Sequence, residues 1–370
     1  MKRTVYKSLR FLIFLAIGLL LLYLAFQGVS LEKFVASLRK ANFLWVALAL
    51  FFAFIGYLSR AYRWRLLIKP LNYDPPFRNV FYALMLGYTA NFALPRIGEV
   101  TRCGSLRKSD NIPVDSLLGT VIIERAIDLV ILLMITVIIF FSKIGFFGAF
   151  FRKNLFRPML EQVEGALSVS LLSWIIALAI LAVVIGGLWF LFRRLSASPA
   201  VVKIRKLVRG VVYGLKTIAR MQHRWAFIMH TGIIWLMYFL MTYVLVFALP
   251  ATSHLGPIDG LFLLVIGGLG MSAPVQGGLG AFHVITTLGL SLYGISQSNG
   301  VAYAVLSHES QSLFAIFLGM ISFIMLMIEN RRDRKAKSQA ARSGPYQTEN
   351  EQQNQRHGLS QTHPVEDHQR

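Results

Sequence analysis

The sequence predicts an all-α polytopic membrane protein with six full transmembrane helices, two re-entrant helical hairpins and an inverted repeat. Three observations carry this. The 370-residue chain is 55% hydrophobic and only 15% charged, with a mean hydropathy of +0.58, whereas soluble domains carry about 25% charged residues. Six apolar runs have the length that crosses a bilayer, which is about 20 residues. Two further runs are too long for one helix and are interrupted by proline and glycine. Disordered, fibrous and ordinary soluble classes are excluded. The single cysteine, Cys103, excludes an intramolecular disulfide framework and a cysteine-rich metal site.

The first run, 9–26, follows Lys2, Arg3, Lys7 and Arg10. It exceeds the roughly 7–15 residues of a signal-peptide core and no small-residue cleavage site follows it. It is therefore expected to be a retained span with the N-terminus inside. The second span is 44–67. The stretch 79–106 comes next, broken at Pro95 and Gly98 and carrying Arg96, Glu99 and Arg102. Spans at 116–141, 171–192 and 225–249 follow. A second broken stretch, 259–293, is interrupted by Pro274, Gly277, Gly278 and Gly280, and 301–328 is the last span. Each half of a broken stretch is about 12–16 residues, too short to cross. Such backbone is tolerated at membrane depth only where protein or water surrounds it, so both stretches are expected to form re-entrant hairpins. From Arg331 the chain turns polar without apolar period, which predicts a disordered cytoplasmic tail over 331–370 behind a transmembrane domain over 1–330.

Charge sets the orientation. With 38 basic and 17 acidic residues, the net charge is 38 − 17 = +21. In a soluble chain this would suggest nucleic acid, but here it distributes as cytoplasmic loops do. Arg60, Arg63, Arg65, Lys69 and Arg78 are assigned to a cytoplasmic loop over 60–78, and nine more basic residues to one over 193–224. The outside segments 250–258 and 294–300 hold no Lys or Arg, while 142–170 carries a few against the trend. The basic face at 193–224 is expected to meet anionic lipid rather than nucleic acid. The halves 9–141 and 171–328 both read span, span, hairpin, span. Three crossings per half insert the second half upside down, a transporter architecture.

Chemistry concentrates at the breaks and the third span. The first break reads Asn91-Phe-Ala-Leu-Pro95-Arg96-Ile-Gly98-Glu99-Val-Thr-Arg102. Pro95 removes a donor and Gly98 relaxes the backbone, leaving free N–H groups near Arg96 that suit an anion. Glu99 and Arg102, three apart, are placed to pair on one helix face. In the third span Glu124 and Asp128 share a face beside Arg125. They require either a basic partner from the hairpin or a retained proton. Glu309 lies at the matching depth of the other half, eight residues into its span, next to His308. The second break, Pro274-Val-Gln-Gly277-Gly278-Leu-Gly280-Ala-Phe-His283, offers exposed amides and an imidazole that either carries protons or caps the half-helix. These residues are expected to form one substrate-binding or coupling site, in which Glu124→Gln would spare the fold and change activity. No metal or cofactor is expected, since HExxH and phosphate-loop motifs are missing.

Together, NxxxPRxGExxR at 91–102, ERxxD at 124–128 and the Pro274–Gly280 break resemble the lysylphosphatidylglycerol synthase transmembrane-region family, also called flippase-like domain proteins. The resemblance covers about residues 9–330. It implies handling of lipids with charged or glycosyl head groups. The bifunctional members' soluble aminoacyltransferase domain has no counterpart in the 40-residue tail, so synthase activity is not implied. The leading expectation is a lipid translocase in a bacterial-type inner membrane, with an anionic or glycosylated head group as substrate and membrane lipids as partners. The alternatives are a membrane-embedded enzyme acting on phospholipid or polyprenyl-phosphate substrates, and a non-transporting partner of an envelope-biogenesis enzyme.

Overall fold

The computed structural model describes residues 2–143, Gly145 and residues 221–343. All regular structure among them is helical. The first half contains α1 (Lys2–Phe26), α2 (Leu31–Arg39), α3 (Phe43–Ile68), α4 (Phe77–Ala93), α5 (Gly98–Asp110) and α6 (Val114–Ser142). The second contains α7 (Arg224–Tyr243), α8 (Pro257–Ser272), α9 (Ala281–Ser291) and α10 (Gln297–Ser343).

Local chemistry sets the boundaries. The Asn42 side chain accepts from the Leu44 amide to start α3, and Ser30 does the same for α2 through Lys33. Pro257 opens α8, where the Asp259 carboxylate accepts the Gly256 N–H at 2.9 Å. Asn111 ends α5 in the left-handed conformation. Leu94, forced into extended backbone by the following Pro95, ends α4.

Three helices among the described residues are long and apolar enough to cross a membrane: Phe43–Leu71, Arg224–Ala248 and Gln297–Glu329. The bent pair Phe11–Phe26 and Leu31–Arg39, which turns by 88°, would make a fourth if it is one span. Large side chains on α6 and α10, among them Leu133, Phe141, Phe317 and Phe323, are exposed, as a lipid-facing surface requires. The protein is a multi-pass membrane protein.

α3 lies along α7. α4 folds back on α5 and packs against α10, while α8 folds back on α9, which packs against α10 and α1. α6 touches α3, α5 and α8. Both fold-backs depend on glycine. At Gly98 a Cβ would run into the Gly87 carbonyl and the Asn91 side chain, and at Gly280, with φ +76°, it would strike the α1 backbone at Gly18. One apolar core, around Trp64, Leu84, Met85, Leu106 and Leu117, joins α3 to α6. A second, around Val46, Leu245, Leu263, Leu290 and Tyr303, joins α3 to the second half.

Two expectations need correction. Arg60 and Arg63 do not belong to a cytoplasmic loop: α3 continues to Ile68 and both arginines are buried. Their positive charge is matched by carboxylates inside the bundle, so it carries no topogenic meaning. The chain from Arg331 does not become irregular at once, because α10 carries its helical hydrogen bonding on to Ser343. The span expected at 171–192 lies outside the described residues. So do nearly all of 142–170 and 193–224, and the tail beyond Ser343.

Candidate functional site

The two breaks meet. Arg96, the residue after Pro95, has φ 61°, a strained left-handed conformation for a side chain of its size. Its guanidinium reaches across to the second break, where Nη2 donates to the Ser272 carbonyl at 2.9 Å. Ser272 is the last residue of α8, so Arg96 satisfies an orphan carbonyl at the negative end of a helix. Asn91 bridges its own break, its Oδ1 accepting the Gly98 N–H at 2.8 Å. The Ile97 N–H likewise bonds the Leu94 carbonyl at 3.3 Å, so these two amides after Pro95 are taken by protein partners and are not the free anion-binding donors expected. Phe92 on α4 lies against Gly277 of the second break.

Below the first break sits a buried ionic network. Glu124 on α6, fully buried, receives Arg60 Nε at 2.8 Å, Arg102 Nη2 at 2.8 Å and Arg63 Nη2 at 3.4 Å. Arg63 also holds Asp128 at 2.8 Å, and Arg60 lies 3.6 Å from its other oxygen. Arg102 stacks on the Trp64 ring at 4.4 Å, and the Trp64 indole donates to Thr120 at 2.9 Å. Arg60 additionally donates to the Tyr238 oxygen at 2.7 Å. The pairing expected between Glu99 and Arg102 does not form. Arg102 points inward to Glu124, while Glu99 pairs with Arg125 at 2.9 Å on the more exposed side. A carboxylate in the neighbouring helix competes better than one a turn away, because only the buried partner compensates the desolvated guanidinium.

The network holds four guanidiniums (Arg60, Arg63, Arg102, Arg125) against three carboxylates (Glu99, Glu124, Asp128), a balance of 4 − 3 = +1 among the described residues. Arginine stays protonated, so the surplus is permanent.

Between this network and the second break lies a cavity of about 390 Å³. Arg60, Arg125, Asn91 and Tyr88 line it from the first half, and Gly277, Thr286, His308 and Gln311 from the second. Leu263, Leu264 and Met271 supply apolar wall. Arg60 Nη2 and Thr286 Oγ1 are buried without a hydrogen-bond partner. On the far side, His308 Nε2 meets the Gly277 carbonyl at 2.8 Å, and Glu309 lies 2.9 Å from His308 Nδ1 and 3.4 Å from His283 Nε2. Gly278 and Gly280 shape the turn but are not among the residues lining the cavity. Nor is Pro274, which lies two residues past the end of α8.

The structure thus divides the expected residues between an arginine–carboxylate network and a histidine–carboxylate cluster; of those expected, only Asn91, Arg125 and Gly277 line the cavity, which the network also reaches through Arg60 and the cluster through His308. Sequence reasoning missed Arg60 and Arg63. The signal was present: both fall inside the apolar run 44–67, three apart on one helix face.

The chain matches the family model of the lysylphosphatidylglycerol synthase TM region over residues 11–319. It is 30% identical to a UPF0104 membrane protein of Methanocaldococcus jannaschii over 138 residues, which span 36% of this chain and 40% of that protein. It is 23% identical to a UPF0104 membrane protein of Methanothermobacter thermautotrophicus over 287 residues, 73% of this chain and 81% of that protein. No solved structure matches the chain. With the family model covering both breaks, the arginine–carboxylate network and the histidine cluster, the chain belongs to the lysylphosphatidylglycerol synthase TM region family.

Proposed function

We propose that this protein translocates lipids, engaging an anionic or glycosylated head group in the cavity where the two breaks meet. The observation that carries the reading is the cavity wall. It combines a permanently cationic network, presented to the cavity through Arg60 and Arg125, with buried polar atoms that lack hydrogen-bond partners and with apolar wall fit for the start of an acyl or prenyl chain. Its volume falls within the roughly 300–1,000 Å³ of small-ligand sites. Charges at membrane depth cost about 2.5–3.5 kcal/mol each even on insertion scales, so a network of this size is maintained for a polar cargo.

The architecture that goes with this function is six crossings with two re-entrant hairpins in inverted halves, N-terminus inside, in an inner membrane. Reciprocal packing supports it: α3 lies on α7, α4 of the first hairpin on α10, and α8 of the second on α6. Such reciprocity among the described helices is what inverted halves would give.

Reconstitution tests the proposal. Vesicles containing the protein should move head-group-labelled anionic lipids between leaflets faster than protein-free vesicles, and Arg60→Gln and Arg125→Gln should slow that movement. Equal rates with and without protein, across anionic and glycosylated lipids, would sink it.

A further inference from the structure

We infer that His283, His308 and Glu309 form a binding site for a divalent transition-metal ion, with zinc the best match to the donor set. Their ligating atoms, one from α9 and two from α10, all lie within 4.8 Å of one another. The 3.4 Å between His283 Nε2 and Glu309 Oε1 matches the ~3.3 Å separation of two donors held about 2.0 Å from a tetrahedral zinc.

Hydrogen bonding points the same way. The Gly277 carbonyl, 2.8 Å from His308 Nε2, can only accept, so Nε2 carries a proton. In a neutral ring Nδ1 is then a bare lone pair, and it faces the Glu309 carboxylate at 2.9 Å. Two acceptors at that distance need a proton or a metal ion to join them. Reversing the tautomer moves the same conflict to the Gly277 carbonyl. His283 adds a further donor atom: it is wholly buried, its Nδ1 has no hydrogen-bond partner, and its Nε2 has only the 3.4 Å approach to Glu309. A proton on His308 would join it to Glu309 and Gly277 but leave His283 unused; a metal ion engages all three side chains, with the Gly277 carbonyl orienting His308 from behind as outer-shell carbonyls orient ligating histidines.

Two imidazoles and one carboxylate suit zinc and its first-row neighbours and leave a fourth position open. Glu309, whose side chain is 40% exposed, provides the way in. The ion would tie α9 and α10 to the second break, next to the cavity that His308 lines. No spacing motif announces the site, because 283 and 308–309 lie on different helices.

Zinc content settles the matter. The full-length chain, without an affinity tag, is purified in detergent, equilibrated with buffered zinc and passed through a desalting column. Wild type should retain about one more zinc per chain than His283→Gln or Glu309→Gln, and its affinity should exceed theirs at least tenfold, the scale of well-oriented ligands. His254→Gln, on an exposed turn, should match wild type. Should the variants fail to fold, wild type alone decides. Zinc should raise its melting temperature, and cobalt should give a visible absorption band of tetrahedral intensity. Equal zinc in wild type and folded variants, or no melting shift and no cobalt band, overturns the site and assigns the shared positive charge to a proton.

Discussion

Arg102 and Glu124, 22 residues apart, are joined at 2.8 Å inside the bundle, a buried tie between the first helical hairpin and α6 beside the more exposed Glu99–Arg125 pair. Both are almost wholly removed from solvent. The same carboxylate takes Arg60 and Arg63, so it is the hub on which three buried guanidiniums depend.

Glu124→Gln should therefore unfold the protein more readily, contrary to the expectation from sequence alone. Removing one partner of a buried ion pair costs about 3–5 kcal/mol, because the remaining charge stays desolvated. Thermal melts in detergent should show a large fall for Glu124→Gln. Asp128→Asn should cost less, since Asp128 is partly exposed and takes one close arginine rather than two. Equal melting temperatures for wild type and Glu124→Gln would remove the hub.

Arg96 staples the two breaks at some conformational expense. Arg96→Ala loses the bond to Ser272 and keeps the left-handed φ, so it should destabilise by about 1 kcal/mol. Arg96→Gly loses the same bond but relieves the backbone, and should cost less than the alanine. The reverse order in chemical or thermal unfolding would show that the strain is not there.

Gly98→Ala should be poorly tolerated, with about 1–3 kcal/mol or more lost to overpacking against Gly87 and Asn91. Gly104→Ala is the control. It lies in the same helix with open space around it, so it should be neutral or gain up to about 1 kcal/mol from helix propensity. Parallel melts of the two variants check the hairpin crossing.

Arg125 separates stability from function. Its pair with Glu99 is substantially exposed, so Arg125→Gln should change stability by only about 0–1 kcal/mol. It lines the cavity, so lipid movement in vesicles should slow. A variant with normal melting and normal transport would exclude Arg125 from head-group contact.

Cys103 reports on packing. It is fully buried beneath the α3–α6 core. A maleimide added to native protein in detergent should leave it unmodified, and should label it after denaturation. Rapid labelling of the native state would mean that α5 is not docked.

The sequence by itself determined the class, the breaks and the family. Hydropathy reports transfer from water to an apolar phase, which is a property of each segment alone, so runs such as 44–67 and 116–141 appear as helices with nearly correct ends. Pro95, Gly98 and the Pro274–Gly280 cluster act on their own backbone, so the interruptions were legible too. Partners were not. Glu99 sits one turn from Arg102, and local spacing pairs them; the folded chain sends Arg102 to Glu124 and Arg125 to Glu99. Arg60 and Arg63 count as loop charges until α6 is placed beside α3. The meeting of Arg96 with Ser272, and of His283 with His308 and Glu309, likewise exists only once the hairpins pack together. A buried charge chooses its partner by what desolvation leaves within reach, and that is decided by tertiary structure alone.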